Sequence, residues 1–124
     1  MKIINTEKAP KAIGPYSQGV NYHNLVFTSG QIPLNPKTGE LVCGDFKAEV
    51  LQVLENLDAI LKTSNSSLQK VAKLTVFLTN LSNFSELNEV FLSYFDGHLP
   101  ARSAVQVSAL PMNARVEIEA IGTI

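Results

Sequence analysis

Between Val50 and Leu78 the apolar residues change their spacing, and that change excludes most simple architectures. Val50, Leu51, Val53, Leu54, Leu57, Ile60 and Leu61 recur every three or four positions, which keeps one broad apolar stripe over about four helical turns. Asp45 offers a side-chain acceptor just upstream and is the expected N-cap. After the Ser64-Asn65-Ser66-Ser67 cluster the period falls to two. Ala72, Leu74, Val76 and Leu78 alternate with Lys73, Thr75 and Phe77, as a half-buried strand requires. A second helical stripe, Phe84, Leu87, Phe91, Tyr94 and Phe95, follows Asn80 or Ser82 and ends before Gly97. Helix, strand and helix in succession describe βαβ-like crossovers, so the helices must lie on a sheet.

The flanks supply the rest of that sheet. Ile3 to Asn5 reads as an edge strand, and a loop through Pro10 and Gly14-Pro15-Tyr16-Ser17-Gln18-Gly19 follows it. Val20 to Tyr22 and Leu25 to Ser29 read as a hairpin closed at His23-Asn24, ending at Gly30. Asn35 to Glu40 is a turn with Pro36 and Gly39 inside it, and Leu41 to Cys43 is a brief extended piece. Pro100, which has no N–H to donate, suits the start of a strand running to Val107, and Arg115 to Ala120 is the return strand. Three short strands, helix, strand, helix, two strands make an α+β fold: one mixed sheet with both helices on one face. The other face is expected to carry Phe77, Thr75, Ala104, Gln106 and Glu117 and to meet another copy of the chain.

Bulk properties narrow the function classes. The 124 residues are read as one domain, 1–124, with 45% hydrophobic and 17% charged content, ordinary for a soluble globular protein. A net charge of −1 with scattered basic residues gives no field to hold a polyanion, so nucleic acid is not an expected partner. No apolar run approaches the ~20 residues of a membrane span, and Met1 to Asn5 lacks the pattern of a signal peptide, so a cytoplasmic location is expected. Cys43 is the only cysteine, and with His23 and His98 far apart no metal-ligand spacing exists; no metal is expected.

The residues that invite chemistry are Arg102 and Glu117. Arg102 shares a strand face with Ala104 and Gln106, opposite Val105 and Val107, while Glu117 and Glu119 oppose Val116, Ile118 and Ala120. If the two strands pair through Leu110-Pro111-Met112-Asn113, Arg102 and Glu117 flank one small space. A guanidinium fork binds a carboxylate bidentately, and a nearby glutamate exchanges protons with water. The same pair reads equally well as a plain cross-strand ion pair. Glu119 is an alternative acid or a partner for Arg115. Tyr16 either anchors its own loop or touches a ligand; Ser29 and Gly30 either line a site or only finish a strand, and Asn88 is either a site residue or an exposed helix residue.

Several segments, in order, resemble one family along essentially the whole chain: Gly14-Pro15-Tyr16-Ser17-Gln18, Thr28-Ser29-Gly30-Gln31-Ile32-Pro33, Pro36 to Glu40, Val53-Leu54-Glu55-Asn56-Leu57, Asn88-Glu89-Val90, Pro100-Ala101-Arg102-Ser103, and Leu110-Pro111 with Val116-Glu117-Ile118-Glu119-Ala120. The chain is similar to the reactive intermediate (imine) deaminases of the RidA or YjgF type. That resemblance implies a chorismate-mutase-like α+β fold, a homotrimer around a central β-barrel, and sites in the clefts between subunits. It implies hydrolysis of 2-imino acids such as 2-iminobutanoate and 2-iminopropanoate to 2-oxo acids and ammonia, with no cofactor and no metal. Arg102 then matches the carboxylate-binding arginine and Glu117 the acid/base that orients water. Tyr16, Ser29, Gly30, Asn88, Ser103 and Ala104 match positions that bind substrate. Ala104 stands where the family usually has cysteine, a position whose contribution is expected to come through the backbone. Two other activities stay open: a non-catalytic metabolite-binding or regulatory trimer, and an endoribonuclease or translation inhibitor.

Overall fold

The computed structural model describes residues 1–124. Its strands are β1 (Lys2–Ile4), β2 (Gly19–Tyr22), β3 (Leu25–Thr28), β4 (Val71–Leu78), β5 (Ala101–Gln106) and β6 (Val116–Thr123), and its helices are α1 (Phe46–Lys62) and α2 (Phe84–Phe95). They form one sheet in the order β1-β2-β3-β6-β4-β5. Only β4 and β5 are parallel neighbours; every other adjacent pair is antiparallel. The α+β reading and the order of elements hold.

Local chemistry explains where the elements begin and stop. Asp45 Oδ1 accepts the Lys47 N–H at 3.1 Å and caps α1, while α2 ends at Asp96, whose φ of 44° leaves the helical region, followed by Gly97 at φ 94°. The β2–β3 hairpin turns at His23, φ 53°, as a tight two-residue turn demands. Val50, Val53, Leu54, Leu57, Ile60 and Leu61 of α1 pack with Leu74, Val76, Leu78, Val116 and Ile118 of the sheet, all fully buried, in a single core. Each such side chain contributes roughly 1.5–3 kcal/mol. Leu51 is an exception to the expected stripe, lying 40% exposed on the outer side of α1. Ala72 is another: a register shift between Val71 and Lys73 leaves it exposed rather than in line with Leu74.

The main correction concerns the last two strands. β5 and β6 do not pair with each other; β4 lies between them. The connection read as a hairpin contains a short 3-10 turn, Pro111–Asn113, with Met112 and Asn113 at positive φ, and carries the chain past the end of β4. Burial decides this arrangement. Val116, Ile118 and Ala120 need cover from the helix layer, which a central strand receives, whereas short β5, preceded by Pro100, suits the sheet's edge.

The faces of β5 are also the reverse of what its valines suggest. Residues opposite one another on neighbouring strands share a face. Arg102, Ala104 and Gln106 stand opposite Leu74, Val76 and Leu78, which are core residues, so all three turn toward the helices. Val105, opposite Phe77, is on the open face with Thr75, Glu117 and Glu119. Ala104 and Gln106 therefore do not belong to the open face. No helix is long and apolar enough to cross a membrane.

Candidate functional site

Glu117 sits on the open face of β6, in register with Phe77 of β4. Past the end of β3, Gln31 and Ile118 exchange backbone hydrogen bonds, Gln31 N–H to Ile118 O at 2.9 Å and Ile118 N–H to Gln31 O at 3.0 Å. This draws the Ser29–Gly30 backbone across the Glu117 side chain. A Cβ on Gly30 would lie 2.8 Å from Glu117 Oε1, so any side chain there would displace the carboxylate from its present place. The acid borders a cleft of about 630 Å³ lined by Ile13, Tyr16, Ser29, Gly30 and Met112 among others. Burial, and secondly the neighbouring Glu119 charge, push the Glu117 carboxyl above the usual glutamate range. No ion pair of the chain engages it.

The cleft's loop is held by side chains. Gln18 is buried and its carboxamide accepts the Thr6 N–H at 2.7 Å while donating to the carbonyls of Thr6, Ala9 and Pro10. Ser29 Oγ donates to the Ser17 carbonyl at 2.6 Å, and the Tyr16 hydroxyl accepts the Ile13 N–H at 3.3 Å. Tyr16 thus anchors its loop and still leaves 51% of its surface exposed at the cleft. Sequence reasoning missed Gln18. Its signal was a polar side chain within a Gly/Pro loop that has many backbone groups to satisfy.

Arg102 lies elsewhere. Its guanidinium carbon is 4.9 Å from the centre of the Phe84 ring and 5.4 Å from that of Phe91, and its Nη1 donates to Asn88 Oδ1 at 2.8 Å. No carboxylate of the chain pairs with it. Beside it is a crevice formed by Asn88, Phe91, Leu92, Leu99 and Pro100. Ala104 turns to the same side and packs against the core, whereas Ser103 is exposed on the open face opposite Thr75.

Within one chain, then, Arg102 and Glu117 do not flank the same space. They face opposite sides of the sheet, with β4 between them, at rows marked by Leu74 and Phe77. The cross-strand ion pair is excluded by the same geometry. Arg115 does not pair with Glu119 either. It forms a bidentate pair with buried Glu49 of α1 and stacks on Phe46, 5.3 Å away. Glu49 escaped the sequence reading because a glutamate in the first helical turn ordinarily faces solvent. Among the groups of the site, no cluster of three or more His, Cys, Asp or Glu side chains could hold a metal.

Comparisons with known proteins cover nearly the whole chain. The family model described as endoribonuclease L-PSP matches residues 6–124. A mouse 2-iminobutanoate/2-iminopropanoate deaminase is 49% identical over 120 residues, 97% of this chain and 89% of the mouse protein. A RutC family protein of Pyrococcus horikoshii is 52% identical, covering 97% of this chain and 95% of its own. The crystal structure of E. coli TdcF with bound serine superposes with a TM-score of 0.95 at 46% identity, over 100% of this chain and 99% of that one.

Proposed function

The chain belongs to the endoribonuclease L-PSP family, the family of RidA and YjgF, and from that premise we propose that it hydrolyses reactive 2-imino and enamine acids, such as 2-iminobutanoate and 2-iminopropanoate, to 2-oxo acids and ammonia. The observation that carries this reading is the Arg102 guanidinium, held against two rings yet left without a carboxylate partner. It is a cation prepared for an anion from outside the chain. A 2-imino acid brings a carboxylate next to a C=N bond, and the planar fork of arginine fixes that carboxylate in two dimensions.

Glu117 provides the proton traffic. Its carboxylate accepts a proton from water as the oxygen adds to the imine carbon, and the proton passes to the nitrogen. Collapse of the resulting carbinolamine expels ammonia and leaves the 2-oxo acid. The raised proton affinity of Glu117 suits a group that must both take and return a proton. Tyr16, Ser29 and Gly30 line the acid's cleft, Asn88 lies with Arg102, and Ser103 and Ala104 belong to the same strand as that arginine.

Because Arg102 and Glu117 face apart in one protomer, a working site needs both from different copies. A homotrimer with sites between subunits meets that need, its neighbouring protomers supplying the two groups. A coupled assay tests the activity: a purified amino-acid oxidase or threonine dehydratase generates the imine, and the protein is added. Faster imine loss than in buffer, strongly reduced in Arg102→Ala, supports the reading. A rate equal to buffer, or an unaffected variant, removes it.

One relative in the comparisons carries bound serine, a carboxylate ligand with no imine, which favours a second reading in which the chain binds a metabolite without turning it over. Binding of 2-oxobutanoate with no acceleration of imine loss would select it. The endoribonuclease name of the family finds less support in this chain, whose net charge is −1.

A further inference from the structure

Phe84, Asn88 and Phe91 occupy positions i, i+4 and i+7 of α2, one stripe along a helix, and all of them meet the guanidinium of Arg102. We infer that this stripe is a cradle of positioning residues that orients Arg102 in advance of its ligand, with Phe84 setting how tightly the site holds a planar carboxylate. The inference rests on the proposed role of Arg102 and adds to it the groups through which that role is exerted.

The division of labour follows from the geometry. The two rings attract the cation to their faces and restrict the plane it adopts. Asn88 uses its carboxamide oxygen on Nη1, which limits rotation within that plane and leaves the other N–H groups for a ligand. Asn88 therefore acts through Arg102 rather than as a catalytic residue. The stem of Arg102 starts on an edge strand, which has a neighbour on one side only, so much of the confinement of this long side chain falls to α2. Pre-ordering of this kind strengthens binding by removing the cost of ordering the group when the ligand arrives.

Phe91 is 5% exposed and belongs to the core, so its substitution would disturb the fold as well as the cradle. Phe84 packs at the core's margin and is the residue to vary. The assembled protein carrying Phe84→Leu, Phe84→Tyr, Arg102→Ala, or Phe84→Leu with Arg102→Ala is titrated with 2-oxobutanoate by calorimetry and assayed with 2-iminobutanoate. Loss of the ring face is expected to raise Kd and KM about tenfold, with kcat changed by less than about threefold. Phe84→Tyr restores both, and Phe84→Leu costs nothing further once Arg102 is gone. Should Phe84→Leu fail to fold by thermal denaturation, Phe84→Met keeps the volume without the ring and takes its place.

An unchanged Kd in Phe84→Leu, or the same loss with and without Arg102, overturns the inference. If Arg102→Ala abolishes binding while Phe84→Leu does not weaken it, the cradle alone is wrong. If Arg102→Ala leaves binding and turnover intact, the proposed function falls and takes the cradle with it.

Discussion

The chain contains two arginines, Arg102 and Arg115, the first lying against two aromatic rings and the second against one. Their difference is in the anion. Arg115 meets Glu49, a carboxylate buried in the first turn of α1, through two hydrogen bonds, and so ties the helix to the beginning of β6. Arg102 meets an amide and two rings but no carboxylate. Paired and partly enclosed, the Arg115 guanidinium serves the fold; that of Arg102 has no such tie and borders a crevice, as the ligand role proposed for it requires. Residue type and aromatic surroundings alone would have ranked them equal.

The sharpest way to break this contrast is to truncate each arginine and read both activity and stability. Arg102→Ala is expected to lower kcat/KM for 2-iminobutanoate by about 10³-fold while the midpoint of urea denaturation falls far less than in Arg115→Ala, since two ring contacts and one hydrogen bond are lost but no buried charge is stranded. Arg115→Ala should do the converse. It strands the buried Glu49 carboxylate and is expected to cost about 3 kcal/mol in denaturation, with a smaller change in KM. If both variants lose the same property, the distinction between a structural and a ligand-facing arginine is wrong.

The two acids extend the comparison. Glu117→Gln keeps the shape of the side chain but cannot exchange the proton, and about a 10²-fold fall in kcat is expected in the same coupled assay. An unaltered kcat would pass the acid's role to Glu119. Gly30→Ala is milder: its new methyl meets the flexible end of Glu117, so the carboxylate shifts, kcat drops about tenfold and the denaturation midpoint moves little.

The smallest effect is on pH dependence. Burial raises the Glu117 pKa above its unfolded value, so as pH rises through that window the folded state retains a proton that the unfolded state has already released. Stability then falls from the ordinary glutamate range up to the folded value, and below that range the penalty is absent. Glu117→Gln removes this contribution, visible as a flatter stability profile between those limits. A profile unchanged by the substitution would place the carboxyl in a more solvated setting than the cleft suggests.

The helix stripes and the alternation of β4 were legible in the residues because periodicity records which side of an element is buried. Asp45, the His23 turn and the end of α2 were legible for a similar reason, each being a local solution to a local backbone problem. Pairing of β5 was not. Its alternation of Arg102, Ala104 and Gln106 with Val105 is compatible with either face, and the short connection to β6 looked like a hairpin although β4 runs between them. The partner of Arg115 was equally hidden, because Glu49 is distant in sequence and its burial depends on how α1 lies on the sheet.

The order of helices and strands, the capped start of α1, the end of α2 and the family are written in the linear chain, since each depends on neighbours a few residues away or on segments compared one by one. The end of β6 is not, for that strand runs on past Ala120 to Thr123. Which face of β5 turns inward, which arginine is left without a carboxylate, and that Arg102 and Glu117 look to opposite sides of the sheet were decided only when the strands packed. Long-range burial allots a strand its place in a sheet, and no period along the chain encodes that competition.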